Sequence, residues 1–441
     1  MPDHGYRAPL LLSLGLAATL ISGGCGGGGG GTPPQQLPVL DLSKHRDSNL
    51  IPSRVVPVLS DRATADPINS VPADFDFHEV DSPCALEDPS REPIFGDRFL
   101  LFYEGSCCAP VFVGTPPTDI TIHDYVIGVV TSPEEDFNPL VTDRTIVMSP
   151  ISMPPLVVNG TPIDPRGAAD PTVIVDHGSL VNTAGRYQMW FEGTYGSAGT
   201  PSATWQSAIL TCTSADGLSW TTPTFCSGLE PGPAFDPTSG IVLRVADPSV
   251  VKTLAITDPY RMAFEVERSD GSSVIGMAYS DDGSAWTIRD GVLSGVDAGP
   301  SFSGGPGNFD DLAVHSPSLA LETDTQGNRV EWMMFYEGRG FVDNDTVIGY
   351  ATSLDGYSWS GFNLAVLTSS SDNVSPILFD SDDLKQPSMI QPSQYPGIDD
   401  NGTADPNDDT PYPRFLLYYT GDGEEPLVAD RVNRIGLASG S

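Results

Sequence analysis

From about residue 80 onward the chain alternates short apolar runs with clusters of Gly, Pro, Asp and Ser, a pattern that predicts strands joined by tight turns. Three kinds of run recur in a constant order. The first opens on an X-Pro pair: Ser82-Pro83-Cys-Ala-Leu, Asp170-Pro171-Thr-Val-Ile, Asp247-Pro248-Ser-Val-Val, Ser316-Pro317-Ser-Leu-Ala and Gln386-Pro387-Ser-Met-Ile. The second is aromatic and ends in acid or glycine: RFLLFYEG, RYQMWFEG, YRMAFEVE, EWMMFYEG and PRFLLYYTG. The third carries Ile-Gly or its equivalent: YVIGVVTS, SAILTCT, VIGMAYS, VIGYATS and RIGLAS. In three units it leads into Ser-x-Asp-Gly-x-x-Trp, at Ser214 to Trp220, Ser280 to Trp286 and Ser353 to Trp359. The first unit has a degenerate turn at residues 133–138 instead.

Such an internal repeat decides architecture better than local propensity does. Inner strand, second strand, third strand, Asp-Gly turn and fourth strand make the four-stranded blade of a β-propeller. The Asp-Gly pair supplies the positive φ of a tight turn, and the Trp packs between blades. The expected fold class is therefore all-β: a five-bladed β-propeller over residues 81–441. Blades are expected at about 81–156, then to 243, to 310, to 380 and to 441. The fifth unit stops after its third strand, so its outer strand must come from residues 37–80, where RVVPVL at 54–59 has strand character. Closing the ring that way removes open sheet edges.

Composition agrees with this reading and narrows the partners. In 441 residues there are 46 Gly and 41 Pro, too many for long helical bundles, while 39% hydrophobic residues suffice for a core. The formal net charge is −37, and only Lys44, Lys252 and Lys385 are lysines. That excludes nucleic acid as a partner and argues against polybasic membrane docking, leaving neutral substrates and cations.

The N-terminus reads as an address. Arg7 precedes an apolar run at residues 8–21 with the length of a signal-peptide core, so residues 1–24 are expected to be a signal peptide. Ser22-Gly23-Gly24-Cys25 resembles a bacterial lipobox, with Cys25 as the lipidated residue. Six glycines and a Pro/Gln stretch make residues 25–36 a flexible tether. The expected location is the bacterial cell envelope, lipid-anchored, with ordinary secretion as the alternative. In an oxidising compartment the remaining cysteines are expected to pair: Cys212 with Cys226 across a hairpin, and Cys84 with Cys107 or Cys108.

The series X-Asp-Pro-Ser, Tyr-x-Met-x-Phe/Tyr-Glu-Gly and Ile-Gly-x-Ala-x-Ser-x-Asp-Gly-x-x-Trp resembles the five-bladed propeller glycoside hydrolases, the arabinanases, β-xylosidases, invertases and levansucrases. The resemblance covers roughly residues 81–439. It implies an active site in the funnel where the inner strands begin, built from carboxyl groups of different blades. Glycoside cleavage needs one protonated carboxyl for the leaving oxygen and one ionised carboxylate as base or nucleophile. By this resemblance Asp81 would be the base and Asp247 would tune the acid or bind a sugar hydroxyl; Asp170, at the same X-Pro position in blade two, is a third catalytic candidate although many members of the family carry something other than Asp-Pro there. In blade four the resemblance expects a proton-donor glutamate, and this chain has His315-Ser316-Pro317.

Other residues remain candidates around that gap. Glu104, Glu192, Glu265 and Glu337 end the second strands, and antiparallel pairing returns those ends to the funnel. A residue repeated in four blades fits an architectural role, capping amides or pairing with arginines. Glu192, Glu337, His315 and Gln386 are the candidate sugar-binding residues; Asp310 and Asp311 are further acids near blade four. His315 could equally be a general acid, a metal ligand or a hydrogen-bonded core residue. An acidic stretch with Asp399, Asn401 and Asp405 around Gly402 has the oxygen ligands that calcium favours, and reads equally as a solvated hairpin loop in blade five. No other cofactor is expected. Two functions follow: a hydrolase acting on neutral oligo- or polysaccharides, or an idle propeller that binds glycans or proteins.

Overall fold

The five X-Pro runs lie side by side around one axis, each against the next, in a closed ring. An innermost strand has a bonding partner on one edge only, so its other edge would carry unsatisfied amides. The residue after each proline solves this. Cys84 Sγ accepts from Val173 N (3.2 Å), Thr172 Oγ1 from Val250 N (3.4 Å) and Ser249 Oγ from Leu319 N (2.8 Å). Ser318 Oγ accepts from Met389 N (3.0 Å), and Ser388 Oγ closes the circle on Ala85 N (3.2 Å). Each blade thus holds the next through a small polar side chain.

The structure, a computed structural model, describes residues 42–44, 46–47, 54–55, 59, 79–106, 125–135, 137, 144–158, 160–177, 180, 183–196, 206–229, 242–253, 255, 257–268, 273–294, 309–323, 329–340, 345–357, 359–361, 365–369, 383–390, 398–399, 410–411, 415–424 and 431–440. All belong to one unit, Leu40–Ser441. The chain is a five-bladed β-propeller. Blade one is Glu79–Glu87, Phe99–Ser106, Tyr125–Ser132 and Thr145–Met148; blade two is Pro165–Val175, Tyr187–Tyr195, Gln206–Ser214 and Thr224–Phe225. Blade three is Val242–Lys252, Tyr260–Arg268, Ser273–Ser280 and Thr287–Ser294, and blade four is Ala313–Thr323, Arg329–Arg339, Thr346–Ser353 and Ser360–Gly361. Helix among the described residues is limited to Glu92–Phe95 and a 3-10 turn at Pro150–Ser152.

Blade five is Asp383–Ile390, Phe415–Glu424 and Arg431–Gly440, with Leu42–Lys44 as its outer strand. An N-terminal strand does close the ring, but it is not residues 54–59. Arg54–Val55 pairs with Arg46–Asp47 in a small hairpin, and Leu59 bridges Ile435 of the blade. Leu42 instead sits opposite Gly440, and Lys44 opposite Ala438.

The three Asp-Gly turns are architectural, as their repetition implied. In the first, Ser214 Oγ accepts from Gly217 N (2.9 Å), Asp216 Oδ1 accepts from Leu218 N and Ser219 N (2.8 Å each), and Trp220 Nε1 donates to Gly217 O (3.1 Å). Gly217 has φ 79°, which a side chain would strain. The same bonds recur around Asp282. Trp286 and Trp190 meet edge to face between blades two and three, their centroids 6.3 Å apart.

The expected disulfide is absent, for a geometric reason. Leu210 pairs with Phe225 and Thr211 with Thr224, so Cys226 falls opposite Ile209 rather than Cys212. The offset puts the two sulfurs on opposite faces of the sheet. Cys212 packs with Leu100, Phe102 and Met189 between blades one and two, while Cys226 packs with Trp190, Val245 and Trp286 between blades two and three. The two are not bonded to each other. Cys84 is a free thiol, used as the hub acceptor where other blades have Ser or Thr. Burial pushes it up to about 12, so it is neutral and inert. Cys107 and Cys108 lie outside the described residues, as do residues 1–36, on which the expected signal peptide, Cys25 and tether fall.

Candidate functional site at the axial mouth

Each inner strand carries a bulge at its X-Pro pair. Register shifts lie between Asp81 and Cys84, Ala169 and Thr172, Ala246 and Ser249, His315 and Ser318, and Lys385 and Ser388. The residue before proline is left-handed in all five blades: φ is 46° at Ser82, 49° at Asp170, 46° at Asp247, 45° at Ser316 and 46° at Gln386. Left-handed backbone at a non-glycine residue costs on the order of 1–3 kcal/mol. Because Ser and Gln adopt it too, the bulge is a fivefold feature of this hub. Its effect is to turn two consecutive side chains per blade toward one place.

Prolines divide the axis into two spaces. On the mouth side Ser82, Asp170, Asp247, Ser316 and Gln386 line a small cavity of about 40 Å³. On the other side the inner strands enclose a channel of about 470 Å³, lined by the hub residues and by Val173, Val251, Leu319 and Met389 among others.

Around the mouth, the second-strand glutamates stand beside the inner-strand residues. Asp81 is opposite Glu104, Ala169 opposite Glu192, Ala246 opposite Glu265 and His315 opposite Glu337; in blade five Lys385 faces Thr420. Asp81, Asp170, Asp247, Glu192, Glu337, His315 and Gln386 are therefore brought together at one end of the axis. Ser82 Oγ donates to Asp170 Oδ1 at 2.6 Å, Gln386 Nε2 reaches the same oxygen at 3.5 Å, and Gln386 Oε1 accepts from Ser82 N at 3.1 Å. Asn433 Nδ2 donates to Asp81 Oδ2 at 2.7 Å. Arg244 forks onto Glu192 at 2.8 and 2.5 Å and lies 3.7 Å from Asp170.

These contacts set the protonation pattern. Burial pushes the Asp81 carboxyl up to about 6, against the pull of Thr420 and Lys385. Burial likewise raises Glu337 to about 7 and Glu192 to about 8, Arg244 offsetting only part of the latter. Glu104 is held well above its usual range by burial and by the charges of Asp170, Asp81 and Glu192. Asp247 is held up by burial, then by Asp170 and Glu265. Glu265 goes the other way despite its burial, because His315 Nδ1 sits 2.9 Å from its Oε1, with Asp247 and Arg244 adding to the pull. Asp247 is thus held protonated beside ionised Glu265, and its Oδ2 accepts from Ser316 Oγ at 3.2 Å. His315, paired with Glu265 and near Glu337, is raised to about 9 although burial opposes this. One compartment therefore holds both protonated and ionised groups.

Arg244 and Asn433 carry no site signal in the sequence, and the pairing of His315 with Glu265 is set by the fold. The one signal for Glu265 was the glutamate repeated in four blades, which points equally to architecture. Asp310 is buried but accepts from Tyr336 Oη at 2.9 Å and packs beside Gly338, a bond within blade four. Asp399 closes a two-residue ladder with Thr410, but its side chain, Asn401 and Asp405 lie outside the described residues. Among the described residues no cluster of His, Cys, Asp and Glu suits a metal ion.

No protein-family model matches the chain, and no curated protein does. Solved structures do. The chain is similar to an N-acetylgalactosamine deacetylase from F. plautii in complex with blood group B trisaccharide, at 15% identity over 87% of this chain and 94% of that one, with a TM-score of 0.49. It is also similar to the catalytic domain of a Coprinopsis cinerea alpha-L-arabinofuranosidase (11%, 88% and 95%, TM-score 0.46). A third is an endo-arabinase from Bacteroides thetaiotaomicron (12%, 82% and 94%, TM-score 0.42).

Proposed function

We propose that this propeller is a cell-envelope glycoside hydrolase acting on neutral oligo- or polysaccharides, with its chemistry at the axial mouth. The observation that carries the reading is the convergence of Asp81, Glu104, Asp170, Glu192, Asp247, Glu265 and Glu337 from four blades, with their protonation states driven apart by burial and pairing. Acid/base cleavage of an acetal requires that division. Asp81 is the base, Asp247 tunes the acid or binds a sugar hydroxyl, and Asp170, Glu192, Glu337 and Gln386 hold sugar hydroxyls. A net charge of −37 favours an uncharged substrate. The N-terminal signal and Cys25 support a lipid-anchored location.

The test is hydrolysis of a panel of aryl furanosides and pyranosides by the wild type, Asp81→Asn and Asp247→Asn. Loss of a general base or of the group that controls the acid lowers turnover on the order of 10²–10⁴-fold. A wild type inert on every glycoside refutes the reading. A second reading, an idle glycan-binding propeller, is favoured by the missing carboxyl at the start of blade four and by internal partners already on Asp81, Asp170 and Glu192. Glycan binding without hydrolysis, lost in Asp170→Ala, supports that one.

A further inference from the structure

The glycosidase reading leaves one role unfilled: no carboxyl stands where blade four begins, and a proton must still reach the leaving oxygen. We propose that His315 is the proton donor and that Glu265 is its positioning residue; this rests on the hydrolase reading above. His315 occupies in blade four the register position that Asp81 occupies in blade one, two residues before the proline and opposite a second-strand glutamate. Blades one and four are not neighbours in the ring, since blade one touches blades two and five. The two groups therefore stand on blades that do not adjoin, each at the mouth end of its inner strand.

Glu265, from the adjacent blade, fixes the ring. Its Oε1 takes Nδ1 of His315, and its Oε2 accepts from Ser316 N at 3.4 Å, so both the imidazole and the backbone beside it are held. Nε2 makes no hydrogen bond to a described residue, and the side chain keeps 26% of its surface exposed. A carboxylate-oriented imidazole with its second nitrogen open is the arrangement of a proton donor. The rival acid is Asp247, but it is buried beside Glu265 and its Oδ2 is occupied by Ser316 Oγ at 3.2 Å. The groups facing His315 are Glu265, Glu337 and Arg339, and the two carboxyls outweigh the guanidinium, keeping the ring charged up to about 9.

The step balances without any co-reactant. The Nε2 proton moves to the glycosidic oxygen as that oxygen takes the electron pair of its bond to the anomeric carbon. A water adds to that carbon and gives a proton to Asp81, and solvent exchange then restores Asp81 and His315. Activity should accordingly rise through about pH 6 as Asp81 ionises and fall through about pH 9 as His315 loses its proton.

A donor is needed most when the leaving group is poor. The experiment compares kcat/KM for a methyl or natural glycoside with that for its 2,4-dinitrophenyl counterpart, in wild type, His315→Gln, Glu265→Gln and Glu337→Gln, with circular dichroism confirming the fold. His315→Gln should lose on the order of 10²–10⁴-fold on the poor leaving group, lose far less on the activated one, and lack the alkaline limb. Glu265→Gln should move that limb to lower pH. Glu337→Gln should keep the leaving-group dependence of the wild type. Equal losses on both substrates in His315→Gln, a persisting alkaline limb, or a leaving-group split in Glu337→Gln instead would each overturn the donor role while leaving the hydrolase reading intact. A wild type that hydrolyses no glycoside overturns both.

Discussion

Replacing Ser249 by Ala removes one link of the hub circle. Leu319 N, 2.8 Å from Ser249 Oγ and facing the inner strand of the preceding blade, is left without its acceptor. An unsatisfied buried donor costs about 1–3 kcal/mol, and water entering from the 470 Å³ channel would bring the loss toward the lower end. For a unit of roughly 400 residues the unfolding entropy is roughly 0.8 kcal/mol/K, so a loss of about 2 kcal/mol lowers Tm by ~2 to 3 °C. Differential scanning calorimetry resolves that. Cys84 supplies the control within the same circle: Cys84→Ser keeps an acceptor for Val173 N and should leave Tm within about 1 °C, whereas Cys84→Ala should fall as Ser249→Ala does. If both alanine variants melt with the wild type, the circle of side-chain bonds does not hold the blades together, and ring closure must rest on the apolar contacts between sheets alone.

Stability should peak on the acid side of neutral. Folded Asp81, Glu337 and Glu192 titrate near 6, 7 and 8, against roughly 4 in the unfolded chain, so the folded form holds extra protons and loses stability as pH climbs through those values. His315, raised to about 9 from 6.5, adds stability that is full below 6.5 and gone above 9, while Asp88, held low by Arg186, loses its contribution as pH falls below about 4. Calorimetry should therefore give a higher Tm at pH 5 than at pH 8, and the opposite order would refute the burial argument. Asp88→Asn breaks a buried pair in which Arg186 Nη2 lies 2.8 Å from Asp88 Oδ1 and Tyr187 Oη 2.6 Å from Oδ2. It should cost about 3–5 kcal/mol in urea denaturation, and a loss under about 1 kcal/mol would contradict the assignment. Non-reducing peptide mapping should find no fragment linking Cys212 to Cys226, because their faces of the sheet diverge; recovery of that fragment would refute the register.

The fivefold order of X-Pro strand, aromatic strand and Ile-Gly strand is written locally, so the blades and their number are legible in the chain. Asp216-Gly217 and its repeats are equally legible, since their bonds span only two or three residues. The X-Pro residues point to the mouth for the same reason: a bulge at each proline is a local event, met in Asp170 and Asp247 as in Ser316. What the pattern does not carry is which strand meets which across the ring. A closing strand as short as Leu42–Lys44 has no periodicity to read, and residues 54–59 look better in isolation. The disulfide fails because sheet parity, and not separation along the chain, decides which face a cysteine shares. Cys84 looks like half of a disulfide until three-dimensional packing puts Val173 N against its sulfur. The charges of the mouth are the most distant of these decisions: Asn433 reaches Asp81 across 352 residues and His315 reaches Glu265 from another blade, so their protonation depends on ring closure, which no local segment encodes.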